Sequence, residues 1–227
     1  MKKHLPLICA VIFLVISISI FFYVKTKEKY DNSSRVAQVD QHKIDNNKEN
    51  TQKTLNSIQE LDIVYGVDDA PVRIIEYASY GCSHCASFFN EVHPNLLKYI
   101  KNKQVQFVMR DFPLDEPSLR ASQLVHCLPE DQRKDMIKLL FKKQENWAHS
   151  KAFPEKLENF AKISGMSGGT FHECMDNHAL EEKILKSRMS AHESFNVNST
   201  PSLIINGKKH MGSLAWEDLE KTIRNLL

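Results

Sequence analysis

The sequence has 227 residues, of which 42% are hydrophobic, and this length suits one large domain or two small ones. Its 30 Lys and Arg residues nearly balance its 28 Asp and Glu residues, so the charge gives no reason to expect a nucleic-acid-binding protein. The sequence contains no Gly-rich phosphate loop, which leaves nucleotide chemistry without support.

The N-terminal part of the sequence predicts a membrane segment. Residues 5–24 form an almost unbroken apolar run behind a basic start, and about 20 residues are enough to cross a bilayer. Bulky residues stand at 21–24, where a cleavage site would need small ones. Residues 1–30 are therefore interpreted as a signal anchor, with a cleaved signal peptide as the alternative, and both place the remainder outside the cytoplasm. Residues 31–57 are polar and predict a flexible linker.

Strand and helix signals alternate after the linker. Strand-forming residues occur at 61–65, 72–78 and 105–109, and apolar residues at helical spacing fill the interval 85–100. Two strands on either side of a helix form a βαβ unit, which implies parallel strands and a right-handed crossover. Pro94 lies inside the helical interval, so we expect it to kink that helix.

The next part of the sequence has a different character. Helical patterns follow one another with no strand signal between them, and the candidate helices span 118–127, 131–144, 154–164, 170–177 and 179–195. Strand signals return at 202–205 and 208–211, and the Asn206-Gly207 pair between them predicts a type I′ hairpin. A final amphipathic helix follows the hairpin.

These patterns predict an α/β fold that is interrupted by an all-helical insertion and preceded by an N-terminal membrane segment. We expect the first half of the α/β domain at 58–116, the helical insertion at 117–192 and the second half at 193–227. The two halves together have the size of a small α/β domain.

A redox motif lies directly after the strand predicted at 72–78. Its residues are Cys82-Ser83-His84-Cys85, and a C-x-x-C near a βαβ unit is typical of thioredoxin-like redox chemistry. Cys82 falls at a helix N-terminus, where unpaired backbone N–H groups favour a thiolate. We therefore expect Cys82 to carry the mixed disulfide, and Cys85, one turn further along, to close the resting disulfide with it. A zinc site would need more ligands, and the sequence has no second C-x-x-C.

The motif and its context resemble the DsbA family of thiol:disulfide oxidoreductases. The resemblance rests on the C-x-x-C after a strand, on the helical insertion and on Asn198-Ser199-Thr200-Pro201-Ser202-Leu203 before the hairpin, and it covers about residues 58–227. It implies a thioredoxin-like fold with a helical insertion, and donation of disulfides to exported proteins in the bacterial periplasm. It also implies reoxidation by a membrane quinone-linked partner, and no cofactor is expected. The family often has Pro-His between the cysteines, whereas this chain has Ser83-His84.

Two side chains near the motif are candidates for tuning it. A cationic or hydrogen-bonding His84 ring beside Cys82 would lower the thiol pKa and make the disulfide a stronger oxidant. Glu76 occupies the position of the family's buried acid, and we expect it to exchange a proton with Cys85. A carboxylate in a strand is costly to bury unless it is paired or protonated. Arg110 is the candidate partner of Glu76, and a solvent-facing Glu76 is the alternative.

The resemblance also assigns roles near the hairpin. It implies that Pro201 is preceded by a cis peptide bond and that Thr200 contacts the substrate, while an ordinary trans proline is the alternative. The two remaining cysteines of the globular part, Cys127 and Cys174, are expected to pair in an oxidising compartment, with two free buried thiols as the alternative. His126 and His172 lie near them, but their irregular spacing predicts no metal site.

Three functions remain open from the sequence. The first is a membrane-tethered periplasmic oxidase that introduces disulfides into exported proteins. The second is a disulfide reductase or isomerase with the same dithiol. The third is a thioredoxin-like module that binds copper or zinc through Cys82, Cys85 and a histidine.

Overall fold

A computed structural model of the chain describes residues 25, 27, 54, 56–212 and 214–227. The apolar run at 5–24 and nearly all of the predicted linker at 31–57 lie outside the described residues. No helix in the described part of the chain is long and apolar enough to cross a membrane.

The described chain alternates strands and helices at its two ends and is helical in the middle. In chain order the elements are β1 (Ile63–Tyr65), β2 (Val72–Ala78), α1 (Ser83–Ser87), a π-helical turn (Phe88–Val92), α2 (His93–Lys101), β3 (Val105–Asp111), α3 (Glu116–Cys127), α4 (Glu130–Lys142), α5 (Gln144–Trp147), α6 (Phe153–Ile163), α7 (Gly168–Met175), α8 (His178–Phe195), β4 (Ser202–Ile205), β5 (Lys208–Met211) and α9 (Trp216–Leu226).

The five strands form one mixed sheet in the order β1-β3-β2-β4-β5. β2 and β3 are parallel, as the βαβ pattern predicts, and the other pairs are antiparallel. β3 is buried along its whole length and β2 nearly so, because both lie inside the sheet with packed side chains on each face. The motif follows β2, so the sheet places it at the carboxyl end of a central strand.

Alternate residues of the central strands supply two separate cores. On one face Ile74, Phe107 and Leu203 belong to the larger core, which includes buried residues of α2 and α9. On the other face Ile75 and Val108 belong to a smaller core that includes Ala191 of α8 and Val197. Neighbouring residues of one strand therefore face different surroundings.

The helix predicted to run from the motif to about residue 102 is divided into three pieces. α1 ends at Ser87, the π-helical turn occupies Phe88–Val92, and α2 begins at His93 with Pro94 in its first turn. Pro94 has no N–H to donate to the preceding turn, which accounts for the change of helical geometry at this point.

The hairpin between β4 and β5 has the predicted turn residues in the required conformation. Asn206 and Gly207 both have positive φ angles, of 45° and 79°, as a type I′ turn demands. The Asn206 side chain also accepts a hydrogen bond from the Arg73 N–H at 2.7 Å. This contact attaches the hairpin to β2, the strand that leads to the motif.

Candidate active site

Cys82 is the N-cap residue of α1, with extended backbone angles of φ −79° and ψ 120°. Its carbonyl accepts the first helical hydrogen bond, from the Ala86 N–H at 3.1 Å. No side chain caps this helix, so the first N–H groups of the helix remain available to the Cys82 sulfur.

The surroundings of the Cys82 sulfur lower its pKa from an ordinary value of 9.0 to about 5. The largest cause is a hydrogen bond with the Cys85 thiol, and the backbone N–H groups of Cys85 and His84 act in the same direction. Partial burial opposes them. Cys82 is thus a thiolate at neutral pH.

Cys85 has the opposite character. It is fully buried, and burial raises its pKa, with further contributions from Cys82 and from the Glu76 charge. Both cysteines are free thiols in this structure. The dithiol therefore contains one charged, accessible sulfur and one neutral, buried sulfur. Exchange through a mixed disulfide uses the accessible sulfur for the bond with another thiol and the buried one for the bond within the protein.

The His84 side chain is exposed and has no hydrogen-bond partner among the described residues. The contribution of His84 to the low Cys82 pKa comes from its backbone N–H group. The structure thus places a donor at His84 beside the sulfur, but that donor belongs to the main chain and not to the predicted ring.

Glu76 lies within β2 and is fully buried. Neither of its carboxyl oxygens has a hydrogen-bond partner in the described part of the chain. Burial, followed by the charge of Cys82, raises the Glu76 pKa well above its ordinary value. Burial therefore favours the protonated form of Glu76 beneath the motif, and the solvent-facing alternative does not hold.

The predicted pairing of Glu76 with Arg110 is wrong. Arg110 forms a buried ion pair with Asp62, with nitrogen–oxygen distances of 2.7 and 2.6 Å, and donates to the Tyr77 hydroxyl at 3.0 Å. The reason is the sheet register, which places Arg110 beside Tyr77 and Met109 beside Glu76. Successive residues of a strand point to opposite faces, so Arg110 and Glu76 lie on different sides of the sheet.

The loop before β4 lies against the motif. The Thr200–Pro201 peptide bond is cis, and the Thr200 carbonyl oxygen is 3.3 Å from the Cys82 sulfur. Pro201 is buried, and its carbonyl accepts the Gly212 N–H at 3.0 Å. The structure therefore brings Cys82, Cys85, Glu76 and Thr200 together, although Thr200 is more than a hundred residues from the motif in sequence.

The active-site loop, defined as Ser79–Cys82, is held by two side chains that sequence reasoning missed. Ser118 accepts a hydrogen bond from the Gly81 N–H at 3.0 Å, and Gln144 donates to the carbonyls of Tyr80 and Cys82 at 2.7 and 2.9 Å. A Cβ atom at Gly81 would lie 2.6 Å from the Ser118 hydroxyl, so a larger residue would displace the Ser118 side chain. Single polar residues on helices give no sequence signal for such contacts.

Cys127 and Cys174 are joined by a disulfide, with their Cα atoms 6.0 Å apart. The bond links the end of α3 to α7. His126, beside this pair, bonds the buried Asp111 carboxylate through Nε2. No group of three or more His, Cys, Asp or Glu side chains within the described residues is arranged to hold a metal ion.

The family model described as thioredoxin matches residues 58–225. The chain belongs to this family. A crystal structure of alpha-DsbA1 from Wolbachia pipientis resembles this chain, with a TM-score of 0.71 and a sequence identity of 26%. The match covers 78% of this chain and 95% of the alpha-DsbA1 chain. The comparison confirms the predicted resemblance to DsbA proteins and the thioredoxin-like fold that it implies.

Curated relatives of this chain are named for disulfide chemistry. A Rickettsia bellii protein with the provisional name protein-disulfide oxidoreductase is 28% identical over 160 residues, which are 69% of this chain and 61% of that protein. Disulfide bond formation protein D of Bacillus subtilis is 25% identical over 170 residues, 72% of this chain and 76% of that protein. The chain thus spans about three fifths of the Rickettsia relatives that it matches.

Proposed function

We propose that this protein is a protein-disulfide oxidoreductase that introduces disulfides into exported proteins by exchange at Cys82 and Cys85. The observation that carries this proposal is the difference between the two sulfurs, since the Cys82 pKa is lowered to about 5 while burial raises that of Cys85. A stable Cys82 thiolate favours the reduced dithiol. The corresponding disulfide is then a strong oxidant of other thiols.

The reaction proceeds in two exchanges. A substrate thiolate attacks the Cys82 sulfur, the Cys82–Cys85 bond breaks, and Cys85 leaves with the electron pair and takes up a proton. A second substrate thiolate attacks the substrate sulfur of the mixed disulfide, and Cys82 leaves as a thiolate. Two electrons pass from the substrate to the enzyme, and the substrate gains one disulfide.

Glu76 is the proposed proton donor for the departing Cys85. Burial raises the pKa of Glu76 well above the ordinary value and so favours the protonated acid, and the electrostatic coupling between Glu76 and Cys85 places the two groups close together. After donation, the Glu76 carboxylate accepts the proton back when Cys85 attacks during reoxidation. His84 adds to the stability of the thiolate through its backbone N–H group.

Substrate binding is assigned to the loop at Thr200 and Pro201. The Thr200 carbonyl lies 3.3 Å from the Cys82 sulfur, so an extended substrate that reaches this sulfur also reaches the Thr200 backbone. Pairing of the two backbones would orient the substrate thiol by strand addition.

The cellular setting belongs to the same proposal. The apolar run at 5–24 supports export to the bacterial periplasm, with residues 1–30 as an inner-membrane anchor or a signal peptide and 31–57 as a linker. Residues 58–116 and 193–227 would form the thioredoxin-like domain around an insertion at 117–192. Reoxidation would come from a membrane quinone-linked oxidase.

The test is the redox equilibrium of the Cys82–Cys85 pair with glutathione, combined with oxidation of a reduced, unfolded model protein. We expect the oxidised chain to transfer its disulfide in stoichiometric amount and Cys82→Ser to abolish the transfer. If the protein reduces insulin but does not transfer its disulfide to the model protein, the result would favour a disulfide reductase or isomerase. Tight binding of copper or zinc by the purified domain would favour a metal-binding thioredoxin-like module. A redox potential of the Cys82–Cys85 pair at or below that of glutathione would contradict the proposal.

A further inference from the structure

Two carbonyl groups of the active-site loop accept hydrogen bonds from one side chain of the helical insertion. Gln144, the first residue of α5, is only 6% exposed, and its Nε2 donates to the Tyr80 carbonyl at 2.7 Å and to the Cys82 carbonyl at 2.9 Å. These carbonyls flank Gly81, directly before α1. One side-chain amide therefore holds both ends of the peptide segment that carries the sulfur.

We propose that Gln144 is a positioning residue that sets the thiolate character of Cys82. The inference rests on the proposed function and goes beyond it, because it assigns control of the reactive cysteine to a residue of the helical insertion. Gln144 does not touch the sulfur and acts through the backbone of Tyr80 and Cys82.

The geometry at the Cys82 carbonyl gives the first reason. This oxygen accepts two hydrogen bonds, one from the Ala86 N–H at 3.1 Å and one from Gln144 at 2.9 Å. A carbonyl with both acceptor positions occupied has a fixed peptide plane. The Cα–Cβ bond of Cys82 is then fixed relative to the N–H groups of His84 and Cys85, which stabilise the thiolate.

The charge distribution gives the second reason. The Tyr80 and Cys82 carbonyl oxygens carry partial negative charge close to the thiolate, and the amide hydrogens of Gln144 compensate for it. Without this donor the Tyr80 and Cys82 carbonyls would each lose a hydrogen bond at a largely buried place, which favours rearrangement of the loop. Both effects weaken the thiolate, so loss of Gln144 raises the Cys82 pKa.

The identity of the side chain fits the task. A primary amide has two N–H groups on one nitrogen, so a single atom can serve two carbonyl acceptors. A glutamate of the same shape has no such donor when ionised and would bring a negative charge towards the carbonyls. A methionine of similar length has no donor and no charge.

The experiment compares Gln144→Met and Gln144→Glu with Gln123→Ala in the full chain. Gln123 is a second buried glutamine of the helical insertion, but it bonds Arg120 and the Asn177 carbonyl and does not contact the active-site loop. The readouts are the pH titration of thiolate absorbance near 240 nm in the reduced protein and the equilibrium with glutathione. Near-ultraviolet circular dichroism verifies the fold.

We expect both Gln144 variants to raise the Cys82 pKa by about one unit or more and to shift the glutathione equilibrium about tenfold towards the enzyme disulfide. Gln123→Ala should leave both values unchanged. An unchanged Cys82 pKa in the folded Gln144 variants, or an equal shift in Gln123→Ala, would overturn the inference.

A measurement on the unaltered protein keeps the inference testable if the variants do not fold. The side-chain amide NMR signals of Gln144 should shift with the same midpoint as the Cys82 titration, and those of Gln123 should not. If the chemical shifts of the Gln144 amide do not change as Cys82 titrates, the inference is wrong. If Cys82 itself titrates as an ordinary thiol, the proposed function fails, whereas an acidic Cys82 that is insensitive to Gln144 removes only the inference.

Discussion

At the scale of single residues, the chemistry depends on where each sulfur lies relative to the first turn of α1. Cys82 precedes the helix and receives its free N–H groups, whereas Cys85 lies within the helix and against the core. Electrostatics therefore separates two residues of the same type that are three positions apart. The Cys82 pKa is lowered to about 5, and burial raises that of Cys85.

Glu76 gives the first prediction at this scale. Gln has nearly the same shape as Glu but cannot exchange the proton, so Glu76→Gln should slow reoxidation by glutathione about a hundredfold, at the lower end of the usual range for acid–base catalysis. The rate is measured by quenched alkylation of the free thiols. Glu91→Gln, at an exposed position of the π-helical turn, is the control and should react as the unaltered protein does. An unaffected rate in Glu76→Gln would remove Glu76 from the mechanism.

At the scale of elements, side chains connect pieces that are distant in sequence. The buried ion pair between Asp62 and Arg110 joins the segment before β1 to β3, and the Cys127–Cys174 disulfide joins α3 to α7. The first is electrostatic and the second is covalent, so different experiments test them.

Loss of one member of the buried ion pair should be costly. Asp62→Asn leaves Arg110 charged and without its carboxylate, in a place where the two side chains are only 1% and 2% exposed. We expect a loss of about 3–5 kcal/mol in the free energy of unfolding, measured with urea.

The matched control is Lys183→Ala in the Lys183–Glu60 pair, whose side chains are 55% and 72% exposed. This change should cost less than about 1 kcal/mol. Equal losses in the two variants would show that burial does not decide the strength of these pairs.

The disulfide between α3 and α7 gives a prediction about chain entropy. Its cysteines are 47 positions apart in the sequence, and closing such a loop in the unfolded chain corresponds to about 4 kcal/mol. The double variant Cys127→Ser with Cys174→Ser should lose a comparable free energy of unfolding in urea. Stability that is insensitive to the double variant would contradict a structural role.

At the scale of the whole molecule, the helices between β3 and β4 and the sheet meet around the active-site loop. Ser118 of α3 and Gln144 of α5 bond this loop. Nearby, Asp111 at the end of β3 bonds Ser122 and His126 of α3. The insertion is thus part of the support of the redox site.

The redox state should change the pH dependence of global stability. Cys82 titrates at about pH 5 in the folded reduced protein, against 9.0 for an ordinary thiol, so between these values the unfolded reduced chain binds more protons. The stability of the reduced protein relative to the oxidised one should therefore increase with pH in this range and be lost as the pH falls through 5. The burial of Glu76 is common to both forms, so its effect on the Glu76 pKa cancels in the difference.

Calorimetry of both redox forms at several pH values between 4 and 9 measures this difference. Cys82→Ser has neither the thiolate nor the Cys82–Cys85 disulfide, so its melting temperature should lack the pH dependence that the Cys82 thiolate gives to the reduced protein. A difference in melting temperature that stays constant over the range would contradict a stabilised thiolate.

The sequence by itself determined the redox motif, the strands, the hairpin and the helical character of the middle. These features depend on local patterns: residue spacing along a helix or strand, turn residues with positive φ, and cysteine spacing. The position of Cys82 at a helix start was predictable for the same reason, since the strand, the turn and the helix are consecutive in the chain.

Only the tertiary structure decided which side chains meet around the motif. Arg110 was expected beside Glu76, but the register of β2 and β3 places it on the opposite face, beside Asp62. Gln144 and Ser118 form hydrogen bonds with the active-site loop from two helices, and no pattern in the sequence indicates that these helices pack against the loop. Sheet register and helix packing are set by the sum of many distant contacts, so no local pattern records them.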